Sequence, residues 1–195
     1  MHTERQQEII STALDLISEK GIQGLTIKNL SKRLGISEPA IYRHFENKIQ
    51  ILAALLDLLK KNTNVIFEAE FNSDEPAVRK IERLFEKHFK SFAEMPSLTS
   101  VVFSEEIFRN EEMLIGKIAE VIEHNNQTLL NILKEGQERN EIRSDIDVSH
   151  LVIFIMGALR LFVKKWQFSG FSFNLEKEGS KLVTSIKYLI GNFNR

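Results

Sequence analysis

The stretch GISEPAIYRHFENK, residues 35–48, places a glycine, a serine and a proline ahead of a very short helical pattern. Ser37 is a candidate N-cap, because a serine hydroxyl can accept a hydrogen bond from a first-turn N–H group. Pro39 fits just inside the helix, where the N–H group that proline lacks would have no intrahelical partner. The pattern therefore predicts a short helix that begins directly after the serine.

The residues of this short helix divide between two faces. At about 100° per residue, Ile41 and Phe45 point in one direction, toward a core. Pro39 and Arg43 point the opposite way, and Tyr42 lies on the flank. An arginine can bind guanine edges or phosphate oxygens, and a tyrosine hydroxyl can donate to phosphate. The outer face is therefore suited to nucleic acid.

The residues on either side complete a helix-turn-helix pattern. Residues 27–34 carry apolar side chains on one face, and Thr26 in front of them is a candidate N-cap. Behind the short helix, Asn47 and Gln50 have the spacing of a capping box that opens a longer helix. Lys48 adds a positive charge in the first turn of that helix, where free N–H groups attract phosphate.

The charge of the chain favours a nucleic-acid partner only locally. The formal net charge of the 195 residues is −1, so there is no overall positive field. Residues 28–48 contain five basic and two acidic side chains, a local excess of three positive charges. A solvated helix face accounts for such an excess as well, and Lys28 stays a candidate phosphate contact.

Few breakers and long helical periodicities predict an all-α protein. The chain has only nine glycines and three prolines, and apolar residues recur at helical spacing along it. We expect a helix-turn-helix DNA-binding domain at residues 1–48 and a larger helical domain at residues 49–195. About nine helices are predicted, at residues 4–20, 27–34, 38–45, 47–71, 77–93, 98–109, 111–138, 148–167 and 175–192.

The residue types present exclude several classes of function. Without cysteine there is no disulfide framework, thiolate zinc site or cysteine nucleophile. The five histidines show neither H-x3-H nor H-E-x-x-H spacing, and no glycine-rich phosphate loop is present. No apolar run reaches the ~18 residues that would span a membrane. The sequence predicts no enzyme, metal, cofactor or membrane partner.

Residues 9–56 resemble the DNA-binding domain of the TetR (tetracycline repressor) family of bacterial transcription regulators. The combination of Gly-Ile-Ser, Ile-Tyr-Arg-His-Phe and a lysine three residues later is highly specific, and the resemblance covers about a quarter of the chain. The matching residues are the first amphipathic helix, Gly21, Leu25-Thr26-Ile27, Leu30, Leu34-Gly35-Ile36-Ser37, Ile41-Tyr42-Arg43-His44-Phe45 and Asn47-Lys48.

The resemblance implies roles for single residues on the DNA. It implies that Thr26 caps the second helix and lies near phosphate, and that Tyr42 and His44 contact the sugar-phosphate backbone. It also implies a phosphate contact from the lysine in the fourth helix. The full set of predicted DNA-binding residues is Thr26, Lys28, Ser37, Glu38, Pro39, Tyr42, Arg43, His44 and Lys48.

Base contacts vary between members of the resembled family at three of these positions, occupied here by Glu38, Pro39 and Arg43. Many relatives have a lysine and a glycine at the first two, so this chain lacks one phosphate-seeking charge. We expect Arg43 to contact bases directly, and Glu38 is a candidate acceptor for a cytosine amino group.

The resemblance further implies that the larger part of the chain binds an effector and dimerises. Its many aromatic residues are compatible with an apolar effector cavity, although a filled core has the same periodicity. Gly157 interrupts an apolar helix at a cost of ~1 kcal/mol relative to alanine, which the close approach of another helix would explain. Candidate effector-binding residues are Phe85, Phe89, Phe92, Phe103, Phe108, Phe154 and Trp166; candidate dimer residues are Gly157, Leu161, Leu182, Ile186 and Leu189.

Together these features predict a homodimeric, sequence-specific transcription regulator of the bacterial cytoplasm, associated with the nucleoid. We expect a repressor of a palindromic operator in double-stranded DNA, released by a small, largely apolar effector. Two alternatives stay open at this point. One is a TetR-like DNA-binding factor for cell division or chromosome organisation, and the other is a helical ligand-binding module without an operator.

Overall fold

The computed structural model describes residues 2–103 and 111–192, and in this part of the chain the fold is built from α-helices without strands. The predicted all-α class is confirmed. The helices are α1 (Glu4–Lys20), α2 (Ile27–Leu34), α3 (Glu38–Tyr42), α4 (Lys48–Phe71), α5 (Ala77–Glu94), α6 (Pro96–Val102), α7 (Glu112–Glu138), α8 (Val148–Phe168) and α9 (Leu175–Ile190).

The first of two compact units contains the described residues of Met1–Lys60 and Met95–Glu120. In this unit α1 packs against α2 and α6, and α2 packs against α3. Leu16, Leu30 and Ile41 are fully buried between these short helices. The first unit therefore supplies the core that a five-residue helix such as α3 cannot form alone.

The second unit contains Lys61–Glu94 and the described residues of Val121–Arg195. Here α5 packs closely against α9. A Cβ atom added to Gly179 would lie 2.3 Å from the ring of Phe89, so glycine is required for this approach. The Phe89 ring also packs against Phe85 and Phe162, with centroids 5.7 and 5.6 Å apart.

Two predicted helix ends differ from the structure for local reasons. The break predicted around Pro96 is instead the start of α6, because proline is well tolerated in a first helical turn. That helix ends at Val102, and residues 104–109 of the predicted segment lie outside the described residues. At the other end of the chain, α9 stops at Ile190 because Gly191 is extended and forms an antiparallel bridge with Ile142.

Candidate nucleic-acid interface

The start of α2 and the turn behind it follow from their local sequence. The Thr26 hydroxyl accepts a hydrogen bond from the Asn29 N–H group at 3.0 Å, which confirms the predicted N-cap. At the other end, Gly35 adopts the left-handed conformation with φ 66° and ψ 27°. The N–H group of Ile36 donates to the Ser31 carbonyl at 3.1 Å. A glycine allows this sharp exit at little cost, and the chain is redirected before α3.

The predicted side-chain cap of α3 is wrong, although Ser37 does occupy the N-cap position. Its backbone is extended, with φ −75° and ψ 152°, but its hydroxyl makes no capping hydrogen bond. Instead the Ser37 carbonyl accepts from the Ala40 N–H group at 3.0 Å. Pro39 lies in the first turn as predicted, so this helix begins through backbone geometry.

Buried side chains hold α3 in place at its other end. Ile41 is fully buried and Phe45 nearly so, as the helical wheel predicted. The Ile41 carbonyl accepts from the N–H groups of both His44 and Phe45, at 2.9 and 3.0 Å. From α1, the Gln6 side-chain amide donates to the His44 carbonyl at 3.3 Å. The segment after α3 is thereby fixed although it is not helical.

We call Glu38, Pro39, Tyr42 and Arg43 the recognition face, because all four are exposed: the first three lie on the outer side of α3, and Arg43 is its C-cap residue. The Tyr42 side chain is 49% exposed even though it is large and aromatic. Within the part of the chain that the structure describes, Arg43 forms no ion pair. A guanidinium group and a phenol are therefore presented to solvent from a rigid support.

The remaining predicted DNA contacts surround the recognition face at element ends. Thr26 and Lys28 are exposed at the start of α2, and His44 is half-buried behind α3. Lys48 is half-buried as the first residue of α4. Asn47 Oδ1 caps this helix by accepting from the Gln50 N–H group at 3.0 Å, as predicted.

Two contacts of this region were missed by sequence reasoning. The side chain of Gln50 accepts from the Glu46 N–H group at 3.0 Å, one residue before the position expected in a capping box. Arg33 binds the Glu19 carboxylate of α1 through two hydrogen bonds, one of them 2.9 Å long. This hydrogen bonding lowers the pKa of Glu19. The Arg33 side chain is therefore engaged within the protein, whereas the Lys28 side chain forms no ion pair with the residues that the structure describes.

The predicted effector residues differ in burial and in the unit to which they belong. Phe85, Phe89 and Phe92 are buried in the second unit, as is Trp166. Phe103 is buried in the first unit. Phe154 is 61% exposed, because its position on α8 faces away from the core. Phe108 lies outside the described residues.

The predicted dimer residues lie along α8 and α9. Leu161 and Leu189 are 72% and 64% exposed, and a side chain added at Gly157 would meet no atom within 4 Å. Leu182 is half-buried, and Ile186 is buried within its own subunit. A groove of about 230 Å³ between the two helices is lined mainly by apolar side chains, including Leu151, Phe154, Leu182, Ile186 and Leu189.

The described residues lack two other kinds of site. None of their helices combines the length and apolar character needed to cross a membrane. Nor do the described ranges bring three or more histidine, cysteine, aspartate or glutamate side chains together as metal ligands.

An exposed tyrosine and an exposed arginine at the end of the second helix of a helix-turn-helix are typical of a DNA-binding protein. Comparison with known proteins identifies the class further. Residues 9–55 match the family described as bacterial regulatory proteins, tetR family, and residues 58–190 match the YsiA-like protein, C-terminal region. The chain belongs to the tetR family and is a DNA-binding transcription regulator.

Individual relatives are similar along most of their length. The nucleoid occlusion factor SlmA of Haemophilus influenzae strain PittGG is 25% identical over 83% of this chain and 76% of its own. The "Probable acrEF/envCD operon repressor" of Escherichia coli K12 is 24% identical over 93% of this chain and 84% of its own. The transcriptional regulator FadR of Bacillus subtilis, solved in complex with stearoyl-CoA, is 25% identical. Its structure superposes with a TM-score of 0.74 and covers 94% of this chain and 96% of its own.

Proposed function

We propose that the chain is a homodimeric repressor that binds a palindromic operator through the recognition face. The observation that supports this most directly is the exposure of Tyr42 and Arg43 above the buried Ile41 and Phe45. We retain residues 1–48 as the DNA-binding domain. The proposed contacts are those predicted from sequence: Thr26, Lys28, Ser37, Glu38, Pro39, Tyr42, Arg43, His44 and Lys48.

A selection of bound sequences from random double-stranded DNA tests this proposal. A two-fold dimer should enrich a palindrome whose half-sites are about one helical turn, or a multiple of it, apart. The variant Arg43→Ala should lose the preference at one position in each half-site. If the wild-type protein enriched no sequence, it would not be an operator-binding repressor and the helical module without an operator would gain support.

We infer that the dimer forms through α8 and α9. The exposed residues of α8 that are apolar or glycine recur along one side of the helix, at positions 153, 154, 157, 161 and 168. Leu182 and Leu189 continue this surface on α9, whereas Ile186 supports it from below. Large exposed apolar patches are uncommon in monomers, and a second copy of the same face would cover this one. Phe154 accordingly belongs to the dimer surface rather than to an effector site.

The proposed effector is an amphipathic molecule with a long apolar chain, such as an acyl-CoA. The stearoyl-CoA bound by the FadR relative supports this class, and so does the phenylalanine-rich interior of the second unit. Fluorescence anisotropy of labelled operator should fall when stearoyl-CoA is added and stay constant with CoA alone. No catalytic step or cofactor is part of this proposal, because its relatives are regulators.

The similarity to SlmA supports a second candidate, a factor that occupies many chromosomal sites. Mapping of bound sites across the genome distinguishes the two. A repressor should occupy one or a few promoters, whereas a nucleoid occlusion factor should occupy many dispersed sites. Either role places the protein at the nucleoid in the bacterial cytoplasm.

A further inference from the structure

The side chain of Gln6 connects the first turn of α1 to the residues that follow α3. Its Oε1 atom accepts a hydrogen bond from the Thr3 N–H group at 3.0 Å, and the Thr3 hydroxyl accepts one from the Gln6 N–H group at 3.2 Å. These reciprocal bonds form a capping box at the start of α1. The Nε2 atom of the same side chain donates to the His44 carbonyl at 3.3 Å. One amide group therefore serves both a helix start and a backbone segment 38 residues away.

Of the two usual capping-box residues, only glutamine can make both of these contacts. A capping box needs an acceptor at the third helical residue, and glutamate supplies one as well as glutamine does. The contact with His44 needs a donor, and an ionised carboxylate has none. The residue type at Gln6 is therefore explained by the His44 carbonyl rather than by the start of α1.

The segment that Gln6 holds carries the last residues of the recognition face. The helix α3 has only five residues, and Arg43 is its C-cap residue. On the inner side, the Ile41 carbonyl accepts from the N–H groups of His44 and Phe45, and Phe45 is nearly buried. The bond from Gln6 holds the same segment from the side of α1. The orientation of Arg43 therefore depends on a residue of another helix.

We propose that Gln6 is a positioning residue for operator recognition, although it lies outside the set of predicted DNA contacts. Its hydrogen bond holds the end of α3 in the orientation that places the Arg43 guanidinium group on base edges. A loosely held segment would still bring positive charge to the phosphates but would lose the base contact, because bidentate base contacts depend more strictly on geometry. This inference rests on the proposed function, in which Arg43 contacts operator bases.

Anisotropy titrations of the full chain with labelled operator and with unrelated DNA test the proposal in the variant Gln6→Glu. This substitution retains the capping-box acceptor, so thermal stability should stay at the wild-type value. It removes the donor and places a carboxylate against the His44 carbonyl, so operator affinity should fall about tenfold. The control Gln7→Glu adds the same charge at the neighbouring side chain, which contacts the His2 carbonyl. It should weaken binding to both DNAs equally, by less than about threefold.

A double-mutant cycle shows whether Gln6 acts through Arg43. In the Arg43→Ala background the base contact is already absent, so Gln6→Glu should then lower operator affinity no more than Gln7→Glu does. Hydrogen–deuterium exchange without DNA gives an independent readout. The backbone amides of His44 and Phe45 should exchange faster in Gln6→Glu than in Gln7→Glu, because their segment has lost a support.

Different results overturn different claims. Equal effects of Gln6→Glu and Gln7→Glu on operator affinity would overturn the positioning role, and so would an undiminished loss in the Arg43→Ala background. A fall in thermal stability as large as that of Gln6→Ala would assign the side chain to the folding of α1 instead. A wild-type protein without sequence preference would contradict the operator-binding function. The exchange rates would then decide separately on the hydrogen bond: unchanged rates overturn its role, and faster rates support it.

Discussion

At the residue scale, Arg43 and Lys28 are both exposed cations that should act differently on DNA. Arg43→Ala should weaken operator binding by about 1–3 kcal/mol and relax specificity at one base pair. Lys28→Ala should weaken binding to all DNA sequences alike. It should also reduce, by about 1, the slope of the logarithm of affinity against the logarithm of salt concentration. Anisotropy titrations on operator, mutated operator and unrelated DNA at several salt concentrations distinguish the two. If Arg43→Ala weakened binding to all three DNAs equally, Arg43 would contact only phosphate.

The pH dependence of stability should report the burial of His88. The unfolded chain binds a proton at this side chain below pH 6.5, whereas the folded chain does so only below about 4. Protons therefore favour the unfolded state in this window, and stability falls as the pH is lowered from 6.5 to 4. The histidine accounts for a loss of about 3 kcal/mol at 1.36 kcal/mol per pKa unit.

Urea denaturation of the wild type and His88→Phe between pH 7 and pH 4 measures this loss. The variant lacks the titrating group, so its stability should decline less steeply while the carboxylates contribute equally to both proteins. Parallel pH profiles for the two proteins would mean that His88 is readily protonated in the fold.

Individual residues also show what sequence reasoning can and cannot supply. The Thr26 and Asn47 caps were predictable because each bond spans three residues. The pairing of Arg33 with Glu19 and the support of the His44 carbonyl by Gln6 span 14 and 38 residues. No local pattern carries such information, since these contacts exist only after the helices have packed.

At the element scale, the turn between α2 and α3 depends on backbone conformation at Gly35. A Cβ atom added there would meet no atom within 4 Å, so any cost of Gly35→Ala comes from its φ of +66° alone. We expect a destabilisation of about 1–2 kcal/mol. Chemical denaturation monitored by circular dichroism measures it.

Gly116 provides the matched control for this substitution. It is also exposed and surrounded by open space, but it lies inside α7. Gly116→Ala should stabilise the protein by about 0.5–1 kcal/mol, because alanine is the better helix former. Equal effects of the two substitutions would contradict the strain assigned to the left-handed turn.

Most helices were predictable because apolar periodicity and breakers are local properties. The start of α6 was not, because a proline marks a helix end and a first helical turn equally well. The burial of Phe103 in the first unit likewise depends on tertiary packing.

At the scale of the whole molecule, Gly157 tests the proposed dimer. It is exposed on α8, and no atom of its own chain crowds it. Gly157→Leu should therefore leave the monomer folded but prevent close approach of a second copy, and operator affinity should fall because half of the contacts are lost.

Sedimentation equilibrium should show a monomer for Gly157→Leu and a dimer for Gly116→Leu, which places the same side chain on another exposed helical glycine. A dimeric Gly157→Leu protein with normal operator affinity would exclude α8 from the interface. Among the predicted dimer residues, the sequence could not show that Ile186 is buried within its own subunit.

The separation of roles within α3 also bears on how new regulators arise. Ile41 faces inward, whereas Glu38, Pro39, Tyr42 and Arg43 face outward. Under the proposed function, gene duplication followed by substitutions at the four outer positions should redirect the protein to other promoters without loss of folding. The same property makes the protein a starting point for synthetic gene circuits, in which libraries randomised at those four codons would supply mutually independent switches.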